Sequence, residues 1–255
     1  MNSTIAHPEL HDRRGDYGFD VSTKGLLPAG LGGLLAAGLA TMLARRSKAV
    51  AVLASGAGVA LLSTAAIALH TTRRGKFAIW AELLDDLPLR GDEQVLDTGC
   101  GRGAVLAMVA KLLPHGHAVG LDLWTSDQSG NHPEATRRNL ELEGVSERCE
   151  IQTGDMLAMP FPDASFDLVV SSMAIHNIDE RAIWYHKRRL QALDEAVRVL
   201  KPGGRMVITD VWSSVYAQHL RTRGLDQVQR RPLGWRFWYG PWLGAGLVMA
   251  TKPAA

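Results

Sequence analysis

The chain has 255 residues, 46% of them hydrophobic and 21% charged, with a formal net charge of +2. Two cysteines exclude a disulfide scaffold, and so small a net charge gives no broad basic field for nucleic acid. A mean hydropathy of −0.03 describes one or two ordinary globular domains and argues against a polytopic membrane protein. That average hides two uncharged apolar stretches near the N-terminus.

Residues 1–25 read as a polar tail carrying both signs of charge. Two apolar runs follow, 26–44 (LLPAGLGGLLAAGLATMLA) and 49–69 (AVAVLASGAGVALLSTAAIAL). Each is close to the roughly 20 residues a helix needs to cross about 30 Å of hydrocarbon. Arg45, Arg46 and Lys48 stand in the turn between them, and Arg73, Arg74 and Lys76 follow the second run. The pattern predicts a transmembrane helical hairpin over 26–70 with cationic ends. Small residues at i, i+4 spacing, Gly33/Ala37 and Ala54/Gly58, suit close helix contact in lipid. The competing reading is a soluble pair of buried helices. A secretory signal is disfavoured, because a polar tail precedes the first run and a second run follows it.

From about residue 77 to 255 the sequence reads as one α/β domain. An opening helix over 80–87 stops at Pro88, and a short strand over 94–97 leads into Thr98-Gly99-Cys100-Gly101-Arg102-Gly103. A helix over 104–113 ends at Pro114, and a buried strand over 118–121 ends at Asp122. A helix over 133–142, a strand over 150–152, a strand over 166–171, a helix over 190–200 and a strand over 205–209 follow. This alternation indicates a mostly parallel sheet covered on both faces. Residues 235–239 and 247–251, parted by a Gly/Pro turn, read as a terminal antiparallel hairpin.

The loop Gly99-x-Gly101-x-Gly103-Ala104 fits a dinucleotide fingerprint loosely, with Asp122 placed as a ribose-binding acid. Asp97 separates the two readings. A pyrophosphate beside a helix N-terminus is ill served by an added anion, whereas an amino-acid end bearing an ammonium and a sulfonium is well served.

VLDTGCGRG (95–103), VGLDLW (119–124), GDM (154–156), FDLVVSSMAIHNI (166–178) and LKPGGRMVITD (200–210) together resemble the ordered motifs of class I S-adenosylmethionine-dependent methyltransferases. Within that class the resemblance is to the ubiquinone/menaquinone-methylase-like small-molecule group, over roughly residues 90–251. It implies a Rossmann-like seven-stranded sheet, mostly parallel, with an antiparallel last strand, and S-adenosylmethionine across the carboxyl ends of the first strands. It also implies that Asp97, Gly99, Cys100, Gly101 and Gly103 hold the methionine part and that Asp122 takes both ribose hydroxyls. Leu123 or Trp124 would cover an adenine face, Asp155 would accept from the adenine amine with Met156 beside it, and Ser171 would line the methionine moiety through its backbone. His176-Asn177 stands where many relatives carry paired histidines. With two cysteines far apart, Cys100 reads as a loop filler and Cys149 as a strand residue, and a zinc site is disfavoured.

Methyl transfer from a sulfonium is an in-line displacement, so alignment is the main demand and a base is needed only where the acceptor must lose a proton. His176 is the first candidate for that base. Tyr185, His186, Asp210, Tyr216 and His219 rank behind it as solvated or structural groups. The segments 184–189 (WYHKRR) and 221–242 mix arginines with aromatic rings, as at a membrane–water boundary or in a packed terminal strand pair. The expectation is a membrane-held enzyme, its catalytic domain cytoplasmic, methylating a small and lipophilic acceptor, with membrane lipid and not nucleic acid as its surroundings. A non-catalytic S-adenosylmethionine-binding regulatory or assembly protein is the alternative, and a nicotinamide-dependent reductase is disfavoured by Asp97 and Gly154-Asp155.

Overall fold

The computed structural model describes residues 7–19, 23–44, 47–124, 130–178, 186–238 and 244–254. Seven strands form one sheet in the order β3-β2-β1-β4-β5-β7-β6. They are β1 (Gln94–Thr98), β2 (His117–Asp122), β3 (Cys149–Thr153), β4 (Phe166–Ser172), β5 (Leu200–Asp210), β6 (Asp226–Pro232) and β7 (Gly246–Thr251). The first five pair in parallel, and β7 runs antiparallel to both β5 and β6. Val95, Leu96, Leu168, Val169 and Val170 are buried, as central strands covered on two faces require.

One face is covered by α3 (Lys76–Asp85), α4 (Ala104–Lys111) and α5 (Pro133–Glu143), whose Trp80, Leu84, Leu106 and Val109 pack with Val95 and Leu168. The other is covered by α6 (Lys187–Val199) and α7 (Ser213–Thr222), whose Leu193, Val199, Tyr216 and Leu220 pack with Leu96, Val169 and Ile208. Strand order reverses between β1 and β4, and there the carboxyl ends open a crevice.

Upstream lies a helical pair, α1 (Thr23–Leu43) and α2 (Lys48–His70). The small residues meet as their spacing suggests. A side chain at Gly58 would come within 3.1 Å of the Gly33 carbonyl oxygen and 3.3 Å of the Ala37 amide nitrogen. Large apolar side chains on the outer faces are exposed, among them Leu35 at 74%, Met42 at 76% and Leu53 at 74%. Helix α2 does not stop at the domain. A π-helical segment, Thr71–Gly75, joins it to α3, giving one continuous helix, Lys48–Asp85, of 38 residues. Among the described residues this is the one helix long and apolar enough to cross a membrane, and the apolar stretch Gly30–Leu43 of α1 is shorter.

Two expectations change. The opening helix begins at Lys76, because it continues the hairpin and is not a separate element. Residues 235–237 are not part of the hairpin strand: Gly234 turns the backbone at φ +71° and Trp235–Phe237 forms a 3-10 turn that buries Phe237, while β6 supplies the partner of β7 and Tyr239 lies outside the described residues. The polar tail is anchored. The amides of Arg14 and Gly15 and the Tyr17 hydroxyl all donate to Glu143 Oε1 at 2.8–2.9 Å, Leu10 is buried in the core, and Asp16 pairs with Arg102 at 3.1 Å.

The aromatic turn fastens the hairpin to the domain. His70 stacks on Trp235 at 5.1 Å, Thr71 Oγ1 donates to the Trp238 carbonyl at 2.6 Å, and Arg236 forks onto Glu82 at 2.7–2.8 Å. The Arg236 carbonyl lies so close to Gly75 that a Cβ there would collide with it.

Candidate active site

The site grows from the end of β1. Gly99, at φ +74°, and Cys100 both donate their amides to the Leu121 carbonyl, at 2.7 and 3.2 Å. A side chain at Gly99 would collide with Ala174, which follows β4, so only glycine lets the loop lie flat across the crevice. Gly103, at φ +80°, turns the chain into α4. Gly101 donates its amide to Asp122 Oδ2 at 2.8 Å, and the Trp124 amide donates to Asp122 Oδ1 at 2.7 Å. The loop, β2 and α5 are thus tied together, with Thr136 Oγ1 donating to the Gly101 carbonyl at 2.7 Å.

Asp97 is 2% exposed, and neither of its carboxylate oxygens has a hydrogen-bond partner of ordinary geometry among the described residues. Burial, and then the charge of Asp122, push its carboxyl up to about 8, with the nearby Leu106 amide offsetting only part of the rise. A buried, unpartnered carboxylate costs free energy that a cationic ligand recovers. It faces a cleft of about 230 Å³ whose walls include Gly99, Asp122, Leu123, Asp155 and Met156. The Asp97 and Asp122 carboxyl groups on one cleft wall fit the ammonium, sulfonium and ribose of S-adenosylmethionine.

The remaining expected residues are distributed as follows. Cys100 is buried in the loop, and burial with the charges of Asp97 and Asp122 raises its thiol far above the ordinary range, as for a filler. Leu123 stands half-exposed on the cleft wall. Trp124, at φ +57°, donates its Nε1–H to Thr153 Oγ1 at 2.8 Å. Asp155 caps the following turn by accepting from the Leu157 amide at 2.9 Å. Ser171 is buried, its hydroxyl donating to the Thr98 carbonyl at 2.9 Å, and Ser172 supplies the cleft wall there.

His176 lies in a 3-10 turn, Ile175–Asn177, after β4. Its Nδ1 lies 3.3 Å from Asp210 Oδ2, which also accepts the His176 amide at 3.2 Å. Asn177 and Ile178 of the same turn reach the cleft wall. The Arg189 guanidinium, itself buried, donates to the His176 carbonyl at 3.2 Å. His186 packs its ring on Trp212 at 4.7 Å, where burial and then the Arg189 charge lower its proton affinity. Tyr216 is buried in the core, and burial raises its phenol well above the ordinary range. His219 pairs with Asp194 at 2.7 Å on the helical face. Tyr185 lies outside the described residues.

Lys76, Asn131 and Arg188 also line the cleft and do not stand out in the sequence. Lys76 reads there as one more cation of the hairpin flank; its burial follows from the helix that carries it.

Residues 96–208 match the family described as methyltransferase domain. The chain is 35% identical over 137 residues to a ubiquinone/menaquinone biosynthesis C-methyltransferase of Ruegeria sp. (strain TM1040), covering 53% of this chain and 50% of the relative. It thus spans about half the length of the curated relatives it matches. Among solved structures, the [4+2]-cyclase SpnF superposes with a TM-score of 0.56 at 18% identity, covering 70% of this chain and 81% of that one. A geranyl diphosphate methyltransferase in complex with S-adenosylmethionine gives 0.53 at 16%, covering 69% and 84%. The α/β unit has a Rossmann-like sheet, and its residues 96–208 are similar to the methyltransferase-domain family.

Proposed function

We propose that this chain is a membrane-held enzyme that transfers a methyl group from S-adenosylmethionine to a small lipophilic acceptor at the bilayer surface. The observation that carries the reading is the continuous helix Lys48–Asp85, which leaves an exposed apolar hairpin and ends as a wall of the cofactor cleft. An exposed apolar surface of that extent is ill suited to water and well suited to lipid. Trp235, 59% exposed beside His70, together with Arg73 and Arg74, suits the membrane–water boundary. A match to a relative named for ubiquinone/menaquinone biosynthesis supports an acceptor that partitions into lipid.

S-adenosylmethionine supplies a methyl on a sulfonium whose departing sulfide is neutral. The protein binds and aligns. Asp97 and the loop from Gly99 through Cys100 and Gly101 to Gly103 hold the methionine part, and Asp122 receives the ribose hydroxyls. Leu123 covers one adenine face with Trp124 behind it, Asp155 and Met156 border the adenine, and Ser171 fixes the end of β4 against β1. His176, its Nδ1 beside Asp210, is the group we assign to a proton that the acceptor gives up. Excluding water and aligning nucleophile, methyl and sulfur account for most of the rate.

The test is to incubate membranes carrying the chain with S-adenosylmethionine labelled on its methyl group and to identify the labelled product. A labelled lipid-phase small molecule is the expected result. Calorimetric titration separates the competing classes: S-adenosylmethionine binds and NADH does not, and failure of the former to bind overturns the reading.

A further inference from the structure

We infer that Asn139 is a positioning residue for the cofactor loop, and that it acts by clamping the N-terminal segment 7–19 against that loop as a strap. This rests on the methyltransferase reading of the cleft. Asn139 lies on α5 and is 2% exposed. Its side-chain amide joins two segments far apart in the chain. Nδ2 donates to the Arg102 carbonyl at 2.9 Å and to the Asp16 carbonyl at 2.8 Å, while Oδ1 accepts from the Asp16 amide at 2.9 Å. Both backbone polar groups of Asp16 are thus held by one side chain. Thr136, one turn earlier on the same face of α5 and fully buried, donates to the Gly101 carbonyl. Two side chains of one helix therefore hold consecutive carbonyls of the loop, and the second of them also holds the strap.

The loop needs restraint from outside. Gly99, Gly101 and Gly103 all lie in the left-handed region, at φ +74°, +51° and +80°, and glycine loses more conformational freedom on ordering than any other residue. Gly101 lines the cleft and donates its amide to Asp122, so a loop that leaves this shape gives up a wall and its hold on Asp122 together. Apparent cofactor affinity scales with the fraction of molecules whose loop keeps the shape. Of the described residues that line the cleft none belongs to the strap, so the strap acts on the cofactor only through the loop. The Asp16 carboxylate also pairs with Arg102 at 3.1 Å, but it is 81% exposed and such a pair contributes little, which leaves the restraint to Asn139. Other contacts fix where Asp16 sits. Tyr17 is buried, its hydroxyl on Glu143 and its ring 5.4 Å from that of Phe77. Arg13 donates to the Arg73 carbonyl at 2.9 Å and lies 4.0 Å from the centre of the Phe77 ring. Arg73 and Phe77 belong to the continuous helix, so the strap runs from the foot of the hairpin to the cofactor loop. Linkage makes the effect mutual: the factor that the docked strap adds to cofactor affinity is the factor that bound cofactor adds to docking of the strap.

The experiment follows amide hydrogen exchange of the strap in the full chain, held in lipid nanodiscs, with and without S-adenosylhomocysteine. The amides of Arg14, Gly15 and Asp16 report its release, because they donate to Glu143 and Asn139. Saturating S-adenosylhomocysteine is expected to slow their exchange by about tenfold in the wild type. Asn139→Ala is expected to speed that exchange, to remove its response to the ligand and to weaken S-adenosylhomocysteine binding by about tenfold in calorimetry. Tyr17→Ala, which alters the strap and leaves α5 and the loop untouched, is expected to weaken binding in the same way, and Tyr17→Phe, which keeps the ring, to retain most of the affinity. Strap exchange that ignores bound ligand in the wild type overturns the inference. So does a Tyr17→Ala protein whose strap exchanges freely while its affinity stays within about twofold of wild type. The wild-type comparison needs no substitution, so it decides the matter even where a variant fails to fold. A wild type that binds no S-adenosylhomocysteine rejects the methyltransferase reading itself, an outcome calorimetry separates from a ligand-loaded protein with an unresponsive strap.

Discussion

Asp97 on β1 and Asp122 at the end of β2 face one cleft, and the charge of Asp122 helps hold the Asp97 carboxyl at about 8. A cofactor ammonium placed against Asp97 favours its ionised form, so below pH 8 binding must expel a proton. Above pH 8 the sign reverses, because the free amine, ordinarily near 7.7–8.0, has begun to lose the proton it needs in the complex. Calorimetry of S-adenosylmethionine binding in buffers of different ionisation enthalpy counts these protons. Up to one released at pH 7 is expected, and none would detach Asp97 from the cofactor.

The same group sets a conflict between binding and stability. Folding raises Asp97 from its ordinary 3.8 to about 8, so between those values the folded chain holds a proton that the unfolded chain has lost. Stability of the ligand-free protein therefore falls as pH rises through that window and is flat above it. Asp97→Asn removes the dependence. It is expected to stabilise the ligand-free protein at pH 8 by roughly 3 to 5 kcal/mol while weakening S-adenosylmethionine binding on the order of 10- to 100-fold. Thermal melts across pH 5–9, with and without ligand, read both effects.

His176→Ala should lower turnover by about 10²-fold or more and leave cofactor affinity within about threefold, since a general base contributes to the chemical step alone. Asp210→Asn, which leaves the ring without its carboxylate partner at 3.3 Å, should fall between the two. Turnover unchanged in a folded His176→Ala protein removes the imidazole from the mechanism.

Gly75 and Gly56 offer a matched pair in one helix. A methyl at Gly75 meets the Arg236 carbonyl and must push the aromatic turn off the hairpin, whereas Gly56 has nothing within 4 Å of the same added atom. Gly75→Ala is expected to destabilise by about 2 kcal/mol or more. Gly56→Ala, at an open helical position, should stabilise by roughly 0.5 to 1 kcal/mol. Thermal melts of the two variants in one detergent make the comparison, and equal melting temperatures would deny that the turn fastens hairpin to domain.

What the sequence makes legible is what repeats or alternates locally. The apolar runs of β1, β2, β4 and β5 and the glycine loop stand out because a buried parallel strand and a tight strand-to-helix turn each need particular residues in succession. Strand β6 (DQVQRRP) escapes notice because it lies at the sheet edge with almost every side chain exposed, so no alternation is required of it. Helix α7 escapes as well, its polar stripe obscuring the buried Tyr216, Ala217 and Leu220. The aromatic stretch 235–239 has strand-forming residues, and at 235–237 tertiary packing of Phe237 overrides that local preference. Lys76 and the Glu143 clasp on the tail are contacts between distant segments, for which neighbouring residues carry no signal.

The unbroken helix from Lys48 to Asp85 makes the hairpin and the cleft share one helical phase. At 3.6 residues per turn, one residue added between His70 and Lys76 would swing Lys76 and Trp80 by about 100° relative to the apolar pair, whereas seven would return them nearly to register. The π segment Thr71–Gly75 holds five residues where the α ladder would close with four, so it has the effect of one such insertion already in place. The azimuth at which the cleft opens around the hairpin axis is therefore fixed by the residue count of a single wide turn.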